Sequence, residues 1–269
     1  MAVANEPTGN LKIMIMNTNG KTVGGTKETD KRKQVICDVV EKTGATLYLF
    51  QEFLWTKIRG SAWKDKYYEL PSQLEYIGNK EACILFDKDK VTVENMADKT
   101  DIKKDVLERM CIGKVTTKGD PIVKFICISW HGRFKKPETT LKEEFESMLD
   151  DILKLSGELS LPVLLAGDFN LITEDIKTKC SSLSLVLHPY KPTERRTSEN
   201  IIDFFISSKS LKMLNINALK LELQTKVVDV LSLFDHDPVV SLFDHDPVVS
   251  SMSTKDNLTS EMDKLSLSS

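Results

Sequence analysis

Asp168 and Asn170, an acid and an amide two residues apart, close the run Leu164-Leu165-Ala166-Gly167-Asp168-Phe169-Asn170. An apolar run of that kind predicts a buried strand, and in open α/β sheets ligands gather where strands end and loops begin. Side chains two apart on an extended backbone point the same way, so a base and a hydrogen-bond donor would face one ligand while Phe169 turns into the core. The plainer account is a strand end followed by an Asx turn, since both residues are ordinary turn formers. What favours a site is that other strand-like runs also finish on Asn, Glu, His or Asp.

Leu11 to Met16 alternates and stops at Asn17-Thr18-Asn19-Gly20, a strand that delivers two amides into a glycine-containing loop. Asn17 there would hydrogen-bond a metal ligand or a phosphate, or form a simple turn. Thr46 to Phe50 is a continuous apolar run, too short for a helix, that ends at Gln51-Glu52. A carboxylate so placed suits a hard divalent cation, which takes oxygen donors and often only one or two protein carboxylates. An exposed glutamate after a strand is the alternative. Ile122 to Trp130 is the strongest strand signal in the chain, and it runs into His131-Gly132, one of only four histidines. A neutral imidazole there could donate to a phosphate oxygen or move a proton near neutral pH, or cap the strand structurally. Arg133, Lys135 and Lys136 follow and would form a local positive rim. Arg109 opens a strand expected over 109–115 and could hold a phosphate bidentately.

Ile201-Ile202-Asp203-Phe204-Phe205-Ile206 embeds one acid in an apolar strand. A buried carboxylate without a partner is costly, so Asp203 requires one, and a histidine is the natural candidate. Phe234-Asp235-His236-Asp237-Pro238 supplies it, in a motif that occurs twice: residues 232–240 and 241–249 both read SLFDHDPVV. Only one copy can occupy a given site. If the first is used, the second extends a strand over Val239 to Phe243 and enters the tail. If the second is used, an apolar nonapeptide must be looped out. Asp235 and His236 are therefore preferred, with Asp244 and His245 as the spare pair.

The elements that must carry these groups alternate along the chain. A helix is expected over 29–42, with Val35, Ile36, Val39 and Val40 on one face and Gly44 as a stop. A second is expected over 140–157, with a capping box at Thr140 and Glu143, a stripe of Leu141, Phe145, Met148, Leu149 and Ile152, and Gly157 at its end. Ala82 to Phe86 adds a strand. Trp55 to Lys80 is irregular, its aromatics Trp63, Tyr67, Tyr68 and Tyr76 expected to cover a sheet edge. Asp87 to Asp105 is a charged hairpin or loop, and the stretch from Asn170 to Asn200 is an irregular excursion carrying His188, Arg195 and Arg196.

At 269 residues, with 41% hydrophobic and 29% charged side chains, the chain can bury a substantial core, and one large α/β domain over 1–250 is expected. Residues 251–269 are rich in Ser, Thr, Lys and Asp and predict a disordered tail. A balance of 37 basic against 40 acidic residues gives a formal charge of -3, so any phosphate binding must be local. Cys37, Cys83, Cys111, Cys127 and Cys180 are scattered, several in apolar runs, which predicts small buried thiols in a reduced compartment. No run is long enough to span a bilayer and the first residues do not form a leader, so an intracellular protein, cytoplasmic or nuclear, is expected.

MNTNG, LFQEF, SWHG, AGDFN, IIDFFIS and FDHDP, in that order and across nearly the whole chain, resemble the endonuclease/exonuclease/phosphatase superfamily, whose fold is that of deoxyribonuclease I and the major apurinic endonucleases. The resemblance implies a four-layered α/β sandwich, two mostly antiparallel sheets face to face with helices outside, and a metal-dependent phosphoester hydrolase site at one end. By the resemblance Glu52 is the principal Mg²⁺ ligand, with Mn²⁺ as a substitute ion, and Asp235 is a second carboxylate near the metal. Asp168 orients or deprotonates the attacking water, and Asn170 and Asn17 hold the phosphate and the acidic network. His236, paired with Asp203, and His131 contact the phosphoryl group or assist proton transfer, and Arg109 matches a phosphate-contacting arginine.

Two departures spare the catalytic atoms: Met16 stands where many relatives have Trp, and Phe234 where they have Ser. Asn19 replaces the Asp of many apurinic endonucleases. The expected function is a Mg²⁺-dependent nuclease or phosphodiesterase acting on nucleic acid, with no membrane and no obligate protein partner. The alternatives are a phosphatase or phosphodiesterase on a small phosphorylated ligand or protein-linked end, and a catalytically inactive binding module.

Overall fold

Strands form where the apolar runs were continuous, because these segments are covered on both faces. The computed structural model describes residues 11–18, 36–53, 71–133, 137–188, 202–218 and 239–244. In chain order the elements are β1 (Leu11–Asn17), a helix that includes residues 36–43 (α1), β2 (Leu47–Gln51), β3 (Leu74–Gly78), β4 (Ala82–Asp87) and β5 (Val91–Asn95). A 3-10 turn (Ala97–Lys99), α2 (Lys104–Leu107), β6 (Met110–Thr117), β7 (Lys124–His131), α3 (Glu138–Leu159) and β8 (Val163–Asp168) follow. The last elements are α4 (Thr173–Ser182), β9 (Leu185–His188), β10 (Asp203–Ser208), β11 (Lys212–Ala218) and β12 (Val239–Asp244).

The strands make two sheets, ordered β11-β12-β1-β2-β4-β3 and β5-β6-β7-β8-β10-β9. Each contains one parallel pair, β1 with β2 and β7 with β8, and every other neighbour is antiparallel. A parallel pair brings two strand carboxyl ends to the same edge, which an antiparallel pair cannot do. Asn17 and Gln51 are paired at that edge of the first sheet, His131 and Asp168 at that edge of the second.

Period-two alternation sorts the side chains. Leu11, Ile13 and Ile15 of β1 and Leu47 and Leu49 of β2 join residues of β6, β7 and β8 in the core between the sheets, while Met14, Met16, Tyr48 and Phe50 face Ile36, Val39 and Val40 of α1. On the far side, Phe145, Met148, Leu149, Ile152 and Leu155 of α3 are buried against the second sheet. The layers are helix, sheet, sheet, helix: the four-layered α/β sandwich that the resemblance implied. Burial of each large aliphatic or aromatic side chain contributes about 1.5–3 kcal/mol.

Several boundaries differ from expectation for local reasons. The long helix begins at Glu138 with Pro137 as its N-cap, and no side chain caps it. Proline lacks the N–H that a helix start would leave unpaired, so it starts the helix earlier and leaves Thr140 and Glu143 inside. Its other end passes Gly157 and stops at Leu159, where Ser160 adopts a left-handed conformation and its N–H reaches the Gly157 carbonyl. The stretch after Asn170 is not wholly irregular: α4 and β9 occupy it, and His188 sits in a strand opposite Phe205. β3 lies in the aromatic stretch and β5 in the charged one. The aromatic residues Trp63, Tyr67 and Tyr68, the arginines Arg195 and Arg196, Lys135, Lys136 and the tail 251–269 lie outside the described residues.

Cys83, Cys111, Cys127 and Cys180 are buried free thiols, as expected, and burial pushes Cys111 up to about 12 and Cys180 up to about 11. Among the described residues no helix is long and apolar enough to cross a membrane.

Candidate active site

Asn17 continues the inward face of β1, two residues beyond Ile15, and so points across the gap between the sheets. Its Nδ2 donates to Oδ2 of Asp168 at 2.9 Å, a bond between residues 151 positions apart. Gln51 continues the inward face of β2 in the same way, and its Nε2 donates to Ser129 Oγ of β7 at 2.9 Å and to its own strand at the Leu49 carbonyl at 3.1 Å. Two polar bridges thus join the sheets at the one edge where both parallel pairs end. Gln51 is fully buried, and with Nε2 committed to two acceptors its Oε1 has no hydrogen-bond partner among the described residues.

Beyond Gln51 the backbone turns sharply. Glu52 has φ +52°, a left-handed conformation uncommon for a side chain of this size, and its N–H donates to the Glu81 carbonyl at 3.0 Å. Its side chain, 15% exposed, places Oε1 3.4 Å from His131 Nε2. The other ring nitrogen, Nδ1, lies 3.1 Å from Oε2 of Glu81. A carboxylate only accepts, so the Nδ1 proton is on the ring and Nε2 is the nitrogen turned to the site. Asp168 Oδ2 is 4.0 Å from the same Nε2. One imidazole therefore stands among three carboxylates, all but Glu52 buried.

Glu81 is a site residue that sequence reasoning missed. It sits in the Asn79-Lys80-Glu81 turn between β3 and β4, where Asn79 Oδ1 accepts from the N–H groups of Glu81 and Ala82 and its Nδ2 donates to the Leu107 and Met110 carbonyls. A glutamate in a polar turn carries no signal of its own. The available clue was His131, a buried imidazole that needed an acceptor.

Close backbone approach sets His131 beside Asp168. A Cβ on Gly132 would collide with the Phe169 carbonyl, and one on Gly167, at φ +149°, with the Trp130 carbonyl. Only glycine lets β7 and β8 come together this closely, with the Gly132 N–H donating to the Asp168 carbonyl at 2.6 Å. Arg109 lies beneath this turn. Its Nε donates to the His131 carbonyl and its Nη2 to the Gly132 carbonyl, both at 2.7 Å, and Nη1 is 3.7 Å from Glu81. Burial lowers its pKa from the ordinary value, partly offset by Glu81. The structure thus gives Arg109 to the network under His131. Arg133, expected on a positive rim, is paired with Glu144 at 2.8 Å and Asp105 at 3.1 Å.

Asp168 and Asn170 come together by a different route from strand alternation. β8 ends at Asp168, and Asn170 has φ +50°, so its N–H turns back to donate to Asp168 Oδ1 at 3.1 Å. Its Nδ2 donates to the Gly132 carbonyl at 3.0 Å. The Asx turn is real, and it is part of the site. Phe169 is buried as expected, stacked on Phe204 with centroids 4.0 Å apart. Asp203, 1% exposed, begins β10 directly opposite Asp168.

Asp235, His236 and His245 lie outside the described residues. β12 runs antiparallel to β1 with Val239 opposite Ile15 and Phe243 opposite Leu11, so Asp244 stands at the far edge of the sheet, opposite Lys212. Asp244 is therefore not among the residues brought together with Asn17.

Among the described residues no three His, Cys, Asp or Glu side chains form a ready metal cage. The donor set nonetheless fits a small hard cation: Glu52 is a partly exposed carboxylate among other oxygen donors, and Mg²⁺ retains several waters and takes one or two carboxylates.

No protein-family model and no curated protein matches the sequence. Solved structures do match. An endonuclease/exonuclease/phosphatase family protein from Bacteroides thetaiotaomicron superposes with a TM-score of 0.69 at 18% identity, over 89% of this chain and 99% of that one. The chain has the endonuclease/exonuclease/phosphatase fold. A mannosyl-6-phosphatase of the same bacterium gives a TM-score of 0.66 at 19% identity, over 86% of this chain and 98% of that one. TDP2 of D. rerio, complexed with a single-strand DNA product, gives 0.60 at 14% identity, over 88% and 99%.

Proposed function

We infer that this endonuclease/exonuclease/phosphatase-fold chain is a divalent-metal-dependent phosphoester hydrolase, and that its substrate is a phosphodiester of nucleic acid. The observation that carries the reading is the meeting of Asn17, Glu52, His131 and Asp168 at one edge of two sheets, with the buried Glu81 fixing the imidazole. Phosphoester hydrolysis needs an oriented water, donors for the oxygens that gain charge, and help for the leaving oxygen. Asp168, held by Asn17 and by the Asn170 N–H, is the group to orient a water and take its proton. His131, its Nδ1–H held by Glu81, presents Nε2 to a phosphoryl oxygen. Arg109 keeps the His131-Gly132 turn in place from below.

Glu52 would hold the Mg²⁺ or Mn²⁺ ion, with Asp235 as a second carboxylate. The ion, when bound, polarises the phosphoryl oxygen and offsets its growing charge. His236 would complete the set by pairing with Asp203, whose buried carboxylate favours an imidazole partner. Reduced thiols and an intracellular, cytoplasmic or nuclear location belong to the same reading.

The neighbour that acts on mannosyl-6-phosphate favours a second reading, a phosphatase on a small phosphorylated ligand. Turnover of plasmid, single-stranded oligonucleotide and a phosphomonoester panel in Mg²⁺ separates the two. Faster cleavage of the nucleic acids is the expected result; turnover confined to phosphomonoesters would overturn the nuclease assignment. Absence of hydrolysis throughout, with unaltered ligand binding in Glu52→Ala, would leave a binding module.

A further inference from the structure

Two costly features fall on consecutive residues at the end of β2. Gln51, fully buried, keeps an amide oxygen with no hydrogen-bond partner among the described residues, and Glu52 takes a left-handed backbone at φ +52°. The amide cannot turn over to relieve the first. Its Nε2 is 3.1 Å from the Leu49 carbonyl, which only accepts, so the reversed group would set oxygen against oxygen. An unpaired buried acceptor and a non-glycine residue at positive φ each lower stability, and such features persist where the surrounding structure over-determines them, typically at active sites.

What over-determines them here is a clamp on the peptide that joins the two residues. Its carbonyl, that of Gln51, accepts from the Thr18 N–H at 2.8 Å and from the Thr18 hydroxyl at 3.1 Å. Its N–H, that of Glu52, donates to the Glu81 carbonyl at 3.0 Å. The Gln51 side chain supplies the third hold. Nε2 reaches Ser129 of the second sheet at 2.9 Å, and the Ser129 hydroxyl donates back to the Phe50 carbonyl at 3.3 Å. One serine thus grips β2 at two successive residues. Ser129 and His131 lie two apart on β7 and share a face, and Gln51 and Glu52 are neighbours. The neutral bridge therefore lies one step inside the 3.4 Å approach of Glu52 Oε1 to His131 Nε2 and spans the same gap between the sheets.

We propose that Gln51 is a positioning residue for Glu52: its amide bridge to Ser129 sets the spacing of the sheets and holds the left-handed turn, so that the Glu52 carboxylate faces His131 before any ion arrives. A carboxylate already held in place loses less freedom on taking up a cation and binds it more tightly. That consequence rests on the reading of Glu52 as the divalent-metal ligand; the clamp itself does not.

Hydrogen exchange in the full-length, metal-free protein tests the clamp. Gln51→Met puts an apolar side chain of similar length in place of the amide, and the bridge and the unpaired oxygen go together. The Glu52 amide is expected to exchange roughly 2–10-fold faster, the shift that loss of one neutral hydrogen bond gives, while the amide of Leu165 in the central strand β8 keeps its rate. Ser129→Ala should have the same effect, and the double variant should exchange no faster than the faster single variant, because both remove one interaction. An unchanged rate at Glu52, an acceleration shared equally by Leu165, or additive effects in the double variant would overturn the proposal.

Binding of Mn²⁺, followed by the electron paramagnetic resonance of the free ion, tests the consequence without turnover. Gln51→Met is expected to weaken Mn²⁺ binding about 10–100-fold, and Glu52→Ala to abolish it. Unaltered affinity in Gln51→Met, alongside lost binding in Glu52→Ala, would overturn the metal half of the proposal. Equal binding by Glu52→Ala, or none by the unaltered protein, would instead overturn the reading of Glu52 as the ligand, while exchange at Glu52 would still decide the clamp.

Discussion

The two sheets reach the site by unlike means. In the second sheet, His131 and Asp168 are the last residues of the parallel pair β7 and β8, locked by glycine contacts and by Arg109 beneath them. In the first, Asn17 and Gln51 end the parallel pair, but Glu52 lies one residue past the strand in a left-handed turn, and Glu81 arrives from a hairpin. One half is built from strand ends, the other from the turns just beyond them. On the proposed function the difference would divide the labour: the half built from strand ends would hold the groups that handle protons, and the half with turns would offer the more exposed carboxylate to an ion.

The largest effect should come from the half built from strand ends. Asp168→Asn keeps the shape and the Asn17 contact region but removes the base, and hydrolysis is expected to fall roughly 10²–10⁴-fold with an unchanged circular dichroism spectrum. A near-normal rate would move proton abstraction elsewhere. Glu81→Gln probes the turn-built half. Loss of the carboxylate behind His131 should lower the rate about 10–100-fold, with a shifted pH profile as the sign of an altered imidazole; a lower rate with an unmoved profile would reduce Glu81 to packing. Gly132→Ala forces a methyl onto the Phe169 carbonyl, and overpacking of that kind costs about 1–3 kcal/mol. Urea melts would measure it, and an unaffected midpoint would mean the β7–β8 junction is looser than described.

The smallest effect compares two histidines of one sheet. His131 stands among carboxylates, whereas His188 Nε2 meets the Ser207 hydroxyl at 2.8 Å. Burial pushes the His188 imidazole down from 6.5 to about 4. Between those values the unfolded chain takes up a proton that the folded chain refuses, so stability is complete above about pH 6.5 and declines as pH falls towards 4. Allowing for partial exposure, the loss is about 1–2 kcal/mol. His188→Gln should flatten that part of the stability curve; parallel curves would remove the assignment.

Much of this site was legible because its residues terminate unmistakable strands. The runs before Asn17, Glu52, His131 and Asp168 are continuous or alternating apolar stretches, and burial on both faces is what makes such stretches strands. Gly44, the stop expected for the first helix, lies directly beyond its last described turn. What escaped was local and polar. Glu81 looks like any turn glutamate until the fold brings His131 to it, 50 positions later. β5 and β9 are short edge strands, carrying too little apolar pattern to stand out from charged surroundings. The capping box at Thr140 lost to Pro137, whose own geometry starts a helix. Arg109 illustrates a further limit, since its partners are backbone carbonyls that no side-chain pattern advertises.

Cleavage of a single-stranded oligonucleotide, followed as Mg²⁺ is titrated into the chelator-treated protein and into its Glu52→Ala variant, tests most directly whether both sheets meet around one ion. The account predicts a rate that rises from background with Mg²⁺ in the unaltered protein and stays at least 10²-fold lower in the variant, with matching thermal melts. Metal-independent cleavage, or an equal rate from Glu52→Ala, would contradict it.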